Sequence, residues 1–293
     1  MSVTSSDAPS FQVGNIQIAV LNDGIVYVDA GGPFGLIPRA LYKSILLPDE
    51  SNLIPMRLHS LLIRTGGKLI LVDTGLGDKL NARQRANWGL EQPGGGLIAE
   101  LARQGVRPGD IDLVINSHLH ADHCAGNTQF NADGVSVRPT FPNAIYVTQQ
   151  REYQDAMRPN ERTRASYIPL NYQPLYEAGQ LRLIDGDTEI TPGIFGVVMR
   201  GHTPAMMGIR IASGSEQALF VADLSSYAVH FARLGWMTAY DVEPLETLES
   251  KRHWRQWALE TRALLLFQHD PLIVAGRYTA ENHIEPQIMV DRA

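Results

Sequence analysis

The chain has 293 residues, a net charge of −6, 44% hydrophobic and 19% charged residues: ordinary globular composition, long enough to bury a sizeable core. No block of Lys/Arg marks a phosphate-tracking surface, so nucleic acid is disfavoured as a partner. Apolar runs such as ALLLF at 263–267 and LIVA at 272–275 are far too short to span a bilayer, so no membrane partner is expected either.

In chain order, residues 1–10 (MSVTSSDAPS) have neither the basic nor the apolar region of a secretory signal, and a cytoplasmic protein is the expectation. Residues 11–32 predict two short strands around a turn at Asn22-Asp23-Gly24. Residues 31–48, punctuated by Gly and Pro, predict a loop with one short helix. Residues 56–75 predict a hairpin turning at Thr65–Lys68, its second strand stopping at Asp73-Thr74-Gly75. GGGLIAELARQGV at 94–106 has helical apolar spacing and ends at Gly105. Strands are predicted at 111–117 and 143–150. The charged, aromatic stretch 151–178 is read as a helix with an excursion, open to use as a lid or a dimer contact, so a homodimer is left open. Strands separated by turns follow over 179–204, and another over 218–223. Pro244 opens a helix over 244–263, which leads to a strand that begins at Leu264 and ends at His269. No linker composition appears, and 1–293 is expected to be a single domain. Asp73, His118, His202, Asp223 and His269 each fall at or just past a predicted strand end, where layered folds gather site residues.

SHLHADHCAG at 117–126 puts three histidines and an aspartate within six positions. His118 and His120, two apart, leave the same face of an extended segment, whereas the adjacent Asp122 and His123 point different ways. One cation does not easily take all four side chains from so short a segment, but two cations can share them with ligands from later strand ends. His118, His120 and His202 are assigned to one ion. Asp122, His123 and His269 are assigned to the other, with Asp223 bridging both. Imidazole and carboxylate without thiolate suit Zn²⁺, and also Fe²⁺ or Mn²⁺.

HLHADH at 118–123 resembles the H-x-H-x-D-H signature of metallo-β-lactamase-fold hydrolases. The resemblance runs along the chain through VDTG at 72–75, GHTP at 201–204, FVADL at 220–224 and QHDP at 268–271. It implies an α/β fold: a four-layer αββα sandwich, two mixed sheets flanked by helices, with the site at one edge between the sheets. The segments at 31–42 and 159–169 are similar to those of the branch holding acyl-homoserine lactonases and methyl-parathion-type hydrolases. That branch often has tyrosine three residues after the bridging aspartate, where this chain has Ser226, with Tyr227 one later. Ala205 stands where a glycine is usual.

The implied chemistry is hydrolysis of a small ester, lactone or related substrate by a hydroxide held between two divalent ions. Asp122 is the candidate to orient that hydroxide, Tyr227 to donate to a developing oxyanion, and Asp73 to orient a histidine ligand. An iron-dependent redox enzyme of the persulfide-dioxygenase type is the competing expectation. Diiron flavoproteins are disfavoured because they usually have Glu where His120 stands. His59, His230, His253 and His283 are read as hydrated or hydrogen-bonded surface histidines, and Cys124, the single cysteine, as a packing residue. Phe34, Tyr153, Tyr167, Tyr172 and Trp236 are open to pocket lining, a subunit contact or ordinary packing.

Overall fold

The computed structural model describes residues 8–290; residues 1–7, most of the stretch read for a signal peptide, and 291–293 lie outside them. Two seven-stranded sheets carry the fold. The first contains β1 (Ser10–Val13), β2 (Ile16–Asp29), β3 (Leu53–Thr65), β4 (Lys68–Val72) and β5 (Leu113–Ile115). After a separate hairpin of β6 (Thr128–Phe130) and β7 (Val137–Pro139), it is completed by β8 (Ile145–Gln149) and β9 (Leu181–Ile184). Pairing is antiparallel from β1 to β4 and parallel from β4 through β5 and β8 to β9. The second sheet runs in sequence order: β10 (Thr188–Thr191), β11 (Ile194–Val198), β12 (Met207–Ser213), β13 (Glu216–Phe220), β14 (Leu264–Leu266), β15 (Ile273–Tyr278) and β16 (Ile284–Met289). Only its β13–β14 pair is parallel.

The layers follow from the period-two alternation of strand side chains. Ile18, Val20, Leu61, Ile63, Ile70, Val72 and Ile115 face the second sheet and pack with Ile194, Ile209, Ile211, Leu219 and Leu265. Their neighbours Ala19, Leu21, Leu62, Leu71 and Val114 face outward, under Leu97 and Leu101 of the helix Gly96–Arg103. Both faces are buried, which is why these strands read as continuous apolar runs. The helix Pro244–Thr261 covers the second sheet through Trp254 and Ala258. The result is the expected sandwich of two mixed sheets flanked by helices. No helix among the described residues is long and apolar enough to cross a membrane.

Several local expectations are corrected. Asn22-Asp23-Gly24 is not a turn. The chain reverses at Gly14-Asn15, and β2 runs on through the three residues with a slip in its register against β3 between Asn22 and Ile25. The cause is Asp23, which is buried and ties down three segments. Its Oδ2 accepts from the backbone N–H of Leu76 (2.9 Å) and Gly77 (3.1 Å), and its Oδ1 from Leu97 N–H (2.9 Å) and the Gln92 amide (3.1 Å). Gly75 has φ +64°, and a Cβ there would lie 2.4 Å from Asp23 Oδ2. Segment 31–48 holds two single-turn helices, Gly31–Phe34 and Arg39–Tyr42. His59 and His230 are buried rather than on the surface, whereas His253 and His283 are exposed. Phe34 belongs to a packed aromatic layer, stacked on Tyr42 with ring centroids 4.3 Å apart and on Tyr227 at 6.0 Å.

Candidate metal centre

The parallel strand β5 ends at Ile115 and delivers Asn116-Ser117 and an extended His118–His120 to the edge between the sheets. His120 keeps extended backbone angles (φ −64°, ψ 151°) as the residue before the single turn Ala121–Cys124, whose rotation separates the side chains of Asp122 and His123. The second sheet contributes the rest. His202 follows β11, Asp223 follows β13 and His269 follows β14.

Three of the histidines are held by their far nitrogen. His123 Nδ1 donates to Asp73 Oδ2 (2.9 Å), His202 Nδ1 to Asp241 Oδ1 (3.1 Å), and His269 Nδ1 to the Arg57 carbonyl (2.7 Å). In the neutral ring this leaves each Nε2 as a bare lone pair. Asp73, at a left-handed φ of 54°, also accepts from Ser117 N–H (2.8 Å) and Ser117 Oγ (2.7 Å), which fixes the start of the histidine loop.

The bare atoms converge. His202 Nε2 lies 3.1 Å from His120 Nδ1 and 3.3 Å from Asp223 Oδ2. His269 Nε2 lies 3.1 Å from Asp223 Oδ1, 3.3 Å from His123 Nε2 and 3.7 Å from Asp122 Oδ2. His118 Nε2 is buried and has no hydrogen-bond partner. Three sets have donor atoms within 4.8 Å of one another: His118, His120 and His202; His118, His123 and Asp223; and Asp122, His123 and His269. Asp223 Oδ2 also lies 3.6 Å from His123 Nε2, so this carboxylate sits between the two histidine groups. Two of these sets have the combinations expected from spacing, and the third, His118, His123 and Asp223, joins one to the other.

The electrostatics describe a site built for positive charge. Burial, followed by the neighbouring imidazoles, pushes His118 and His120 well below the ordinary histidine pKa. At His123, burial opposes charge but is outweighed by the carboxylates of Asp122 and Asp223, which hold it well above that value. At Asp223, burial is outweighed by His269, His202 and His123, which hold the carboxyl well below its usual range. Lone pairs aimed at each other, an orphaned buried nitrogen and two carboxylates without thiolate form a donor set that divalent ions fit.

A cavity of about 270 Å³ opens over these donors, with His120, Asp122, His202 and Asp223 in its wall. Val28, Met56 and Trp88 form an apolar side, and Arg162, Thr163 and Tyr240 a polar one. A larger cavity of about 520 Å³ lies between residues 43–49 and Pro271-Leu272 and touches none of the donors, so size alone does not mark the site.

Tyr227, the expected donor, is not part of this wall. Its hydroxyl donates to the Pro55 carbonyl (3.2 Å) and its ring lies against Phe34. The turn after Asp223 sends the side chain into the aromatic layer, and the phenol that lines the cavity is Tyr240. Ser226, where the branch often has tyrosine, donates instead to Asp223 Oδ1 (3.3 Å). Nothing in the sequence marks Asp241, Glu152, Arg162 or Tyr240 as neighbours of this site. Only Ser117, beside the motif, carried a local signal.

A family model described as the metallo-beta-lactamase superfamily matches residues 57–274. An N-acyl homoserine lactonase of Bacillus cereus is 26% identical over 246 residues, 80% of this chain and 89% of that protein. A solved structure of a probable metal-dependent hydrolase from Staphylococcus aureus is similar at TM-score 0.87 and 30% identity, covering 96% of this chain and 99% of that one. The dizinc quorum-quenching lactonase AidC, in complex with a product, shares the fold at TM-score 0.80 and 22% identity, over 98% of this chain and 99% of that one.

Proposed function

The chain belongs to the metallo-beta-lactamase superfamily, and from that premise we propose that it is a hydrolase of small esters or lactones that works with two divalent ions, zinc by donor preference and Fe²⁺ or Mn²⁺ by the same chemistry. The observation that carries this reading is Asp223, whose carboxylate lies within 3.6 Å of bare nitrogens from both groups, His202 of one and His123 and His269 of the other. His118, His120 and His202 would hold one ion, and Asp122, His123 and His269 the other, with Asp223 shared. Ions bound there supply Lewis acidity, polarising a carbonyl oxygen and bringing water to its hydroxide form near neutral pH.

The chain's own groups do the rest. Asp122 has the most exposed carboxylate of the set and faces the cavity, positioned to orient the attacking water. Tyr240 keeps its proton at working pH, since burial and then the carboxylates of Asp122 and Asp223 push it up to about 12. It is the candidate donor to the oxygen that gains charge, the role expected of Tyr227. Trp88, Met56 and Val28 present an apolar wall to an acyl or alkyl group and exclude water there. Homology to N-acyl homoserine lactonases supports a lactone with an acyl chain, a small molecule that the acidic chain does not repel as it would a nucleic acid. Both sheets supply donors to one centre, which supports reading 1–293 as a single domain.

The test is a screen of zinc-, iron- and manganese-loaded protein against N-acyl homoserine lactones, γ-lactones, p-nitrophenyl esters and phosphotriesters, with acid release as readout. Lactone opening or ester cleavage that His120→Ala abolishes is expected. Unchanged turnover in that variant would assign the activity elsewhere, and oxygen uptake by an iron-bearing preparation without hydrolysis would replace this reading with the redox one.

A further inference from the structure

Behind the histidine loop lies a carboxylate with no contact to any metal donor. Glu152, on the helix Gln150–Met157, is fully buried, and among the described residues no cation pairs with it. Three donors satisfy it. Oε1 accepts from Leu119 N–H (3.0 Å) and the Tyr167 hydroxyl (2.9 Å), and Oε2 accepts from the Thr203 hydroxyl (2.5 Å).

Each donor is adjacent to a histidine of one group. Leu119 stands between His118 and His120, and Thr203 follows His202. Tyr167 pairs its backbone with His120 and sets its ring 4.9 Å from the His120 imidazole. The two loops come from different sheets, so one carboxylate spans the gap between them. The helix does not need this carboxylate for its own attachment. The Tyr172 hydroxyl donates to the Ala156 carbonyl (3.0 Å), and Ala156 and Tyr153 pack in the outer core.

We infer that Glu152 is a positioning residue: it sets the separation of His118 and His120 from His202, and through it the affinity for the ion those three histidines hold. Among the described residues, the hydrogen-bond partners of Glu152 do not include a neighbour of Asp122, His123 or His269. His123 is held by Asp73 and His269 by the Arg57 carbonyl. The effect is therefore selective for one of two ions. The inference rests on the two-ion reading.

The experiment is a competition titration of folded, metal-free protein with Zn²⁺ against a chromophoric chelator, which resolves two equivalents without measuring turnover. Glu152→Ala is expected to weaken one equivalent about 10–100-fold, the usual effect of losing a group that orients ligands, and to leave the other within about threefold. Glu152→Gln is expected to restore most of that loss. Its amide oxygen still accepts from Leu119 and Tyr167, and its NH₂ donates to Thr203, whose hydroxyl turns to accept. Should Glu152→Ala not fold, Thr203→Val removes the Oε2 hydrogen bond alone and is expected to weaken the same equivalent by a smaller factor. Equal weakening of both equivalents, or of neither, in a folded variant overturns the proposal and leaves the two-ion reading standing. A wild-type protein that takes up a single ion overturns both.

Discussion

Replacing His230 with phenylalanine is expected to help the fold more at pH 5 than at pH 7. His230 lies buried on the turn Ala228–Ala232, edge-on to Phe34 (ring centroids 5.4 Å apart) and Tyr227 (5.3 Å), and neither ring nitrogen has a hydrogen-bond partner. Burial, and then the charge of Lys251, push its pKa down from 6.5 to about 3. Below pH 6.5 the unfolded chain takes up a proton that the folded chain refuses until near pH 3. Stability from this residue is therefore level above 6.5 and falls as pH drops through that window. At pH 5 the gap is about 1.5 units at about 1.4 kcal/mol each, or about 2 kcal/mol that phenylalanine does not lose. Any packing cost of the larger ring is common to both pH values and cancels in the difference. Urea unfolding of both metal-free proteins at pH 7 and pH 5 gives that double difference directly. A value near zero would refute the dry aromatic layer and with it the placement of Tyr227 inside that layer.

Asp23→Asn tests the bulge that replaced the expected turn. In either amide orientation two of the four donors around Asp23 face an NH₂. At about 1–3 kcal/mol for each stranded donor the loss is about 2–6 kcal/mol, seen as a lower urea midpoint at unchanged m; an unchanged midpoint would mean that Asp23 does not organise these segments. For the two phenols, Tyr240→Phe is expected to lower kcat/KM on a lactone about tenfold, equivalent to about 1.4 kcal/mol of transition-state stabilisation, while Tyr227→Phe stays within about twofold. The reverse order would return the donor role to Tyr227.

What the sequence made legible was the part of the site carried by contiguous motif and strand ends. An apolar run followed by a polar residue marks where a buried strand emerges, so His118, His202, Asp223 and His269 were placed from pattern alone. Residues that act only through tertiary proximity gave no such mark. Asp241 reaches His202 across 39 positions, and Glu152 reaches Thr203 across 51. Tyr227 is close to Asp223 in sequence, yet the turn between them sends it into the aromatic layer, while Tyr240, further along the chain, reaches the cavity. Asn22-Asp23-Gly24 has the composition of a hairpin turn, and only the donors contributed by segments 50 to 75 residues later keep it inside a strand. His59 and His230 look like surface residues because nothing local records that the layers close over them.

The most direct measurement of the central claim is anomalous diffraction at the zinc edge from crystals of zinc-loaded protein. Two peaks are expected, one about 2.0–2.2 Å from nitrogens of His118, His120 and His202, the other at similar distances from Asp122, His123 and His269, with one oxygen of Asp223 on each. A single peak, or peaks away from these donors, would contradict the account.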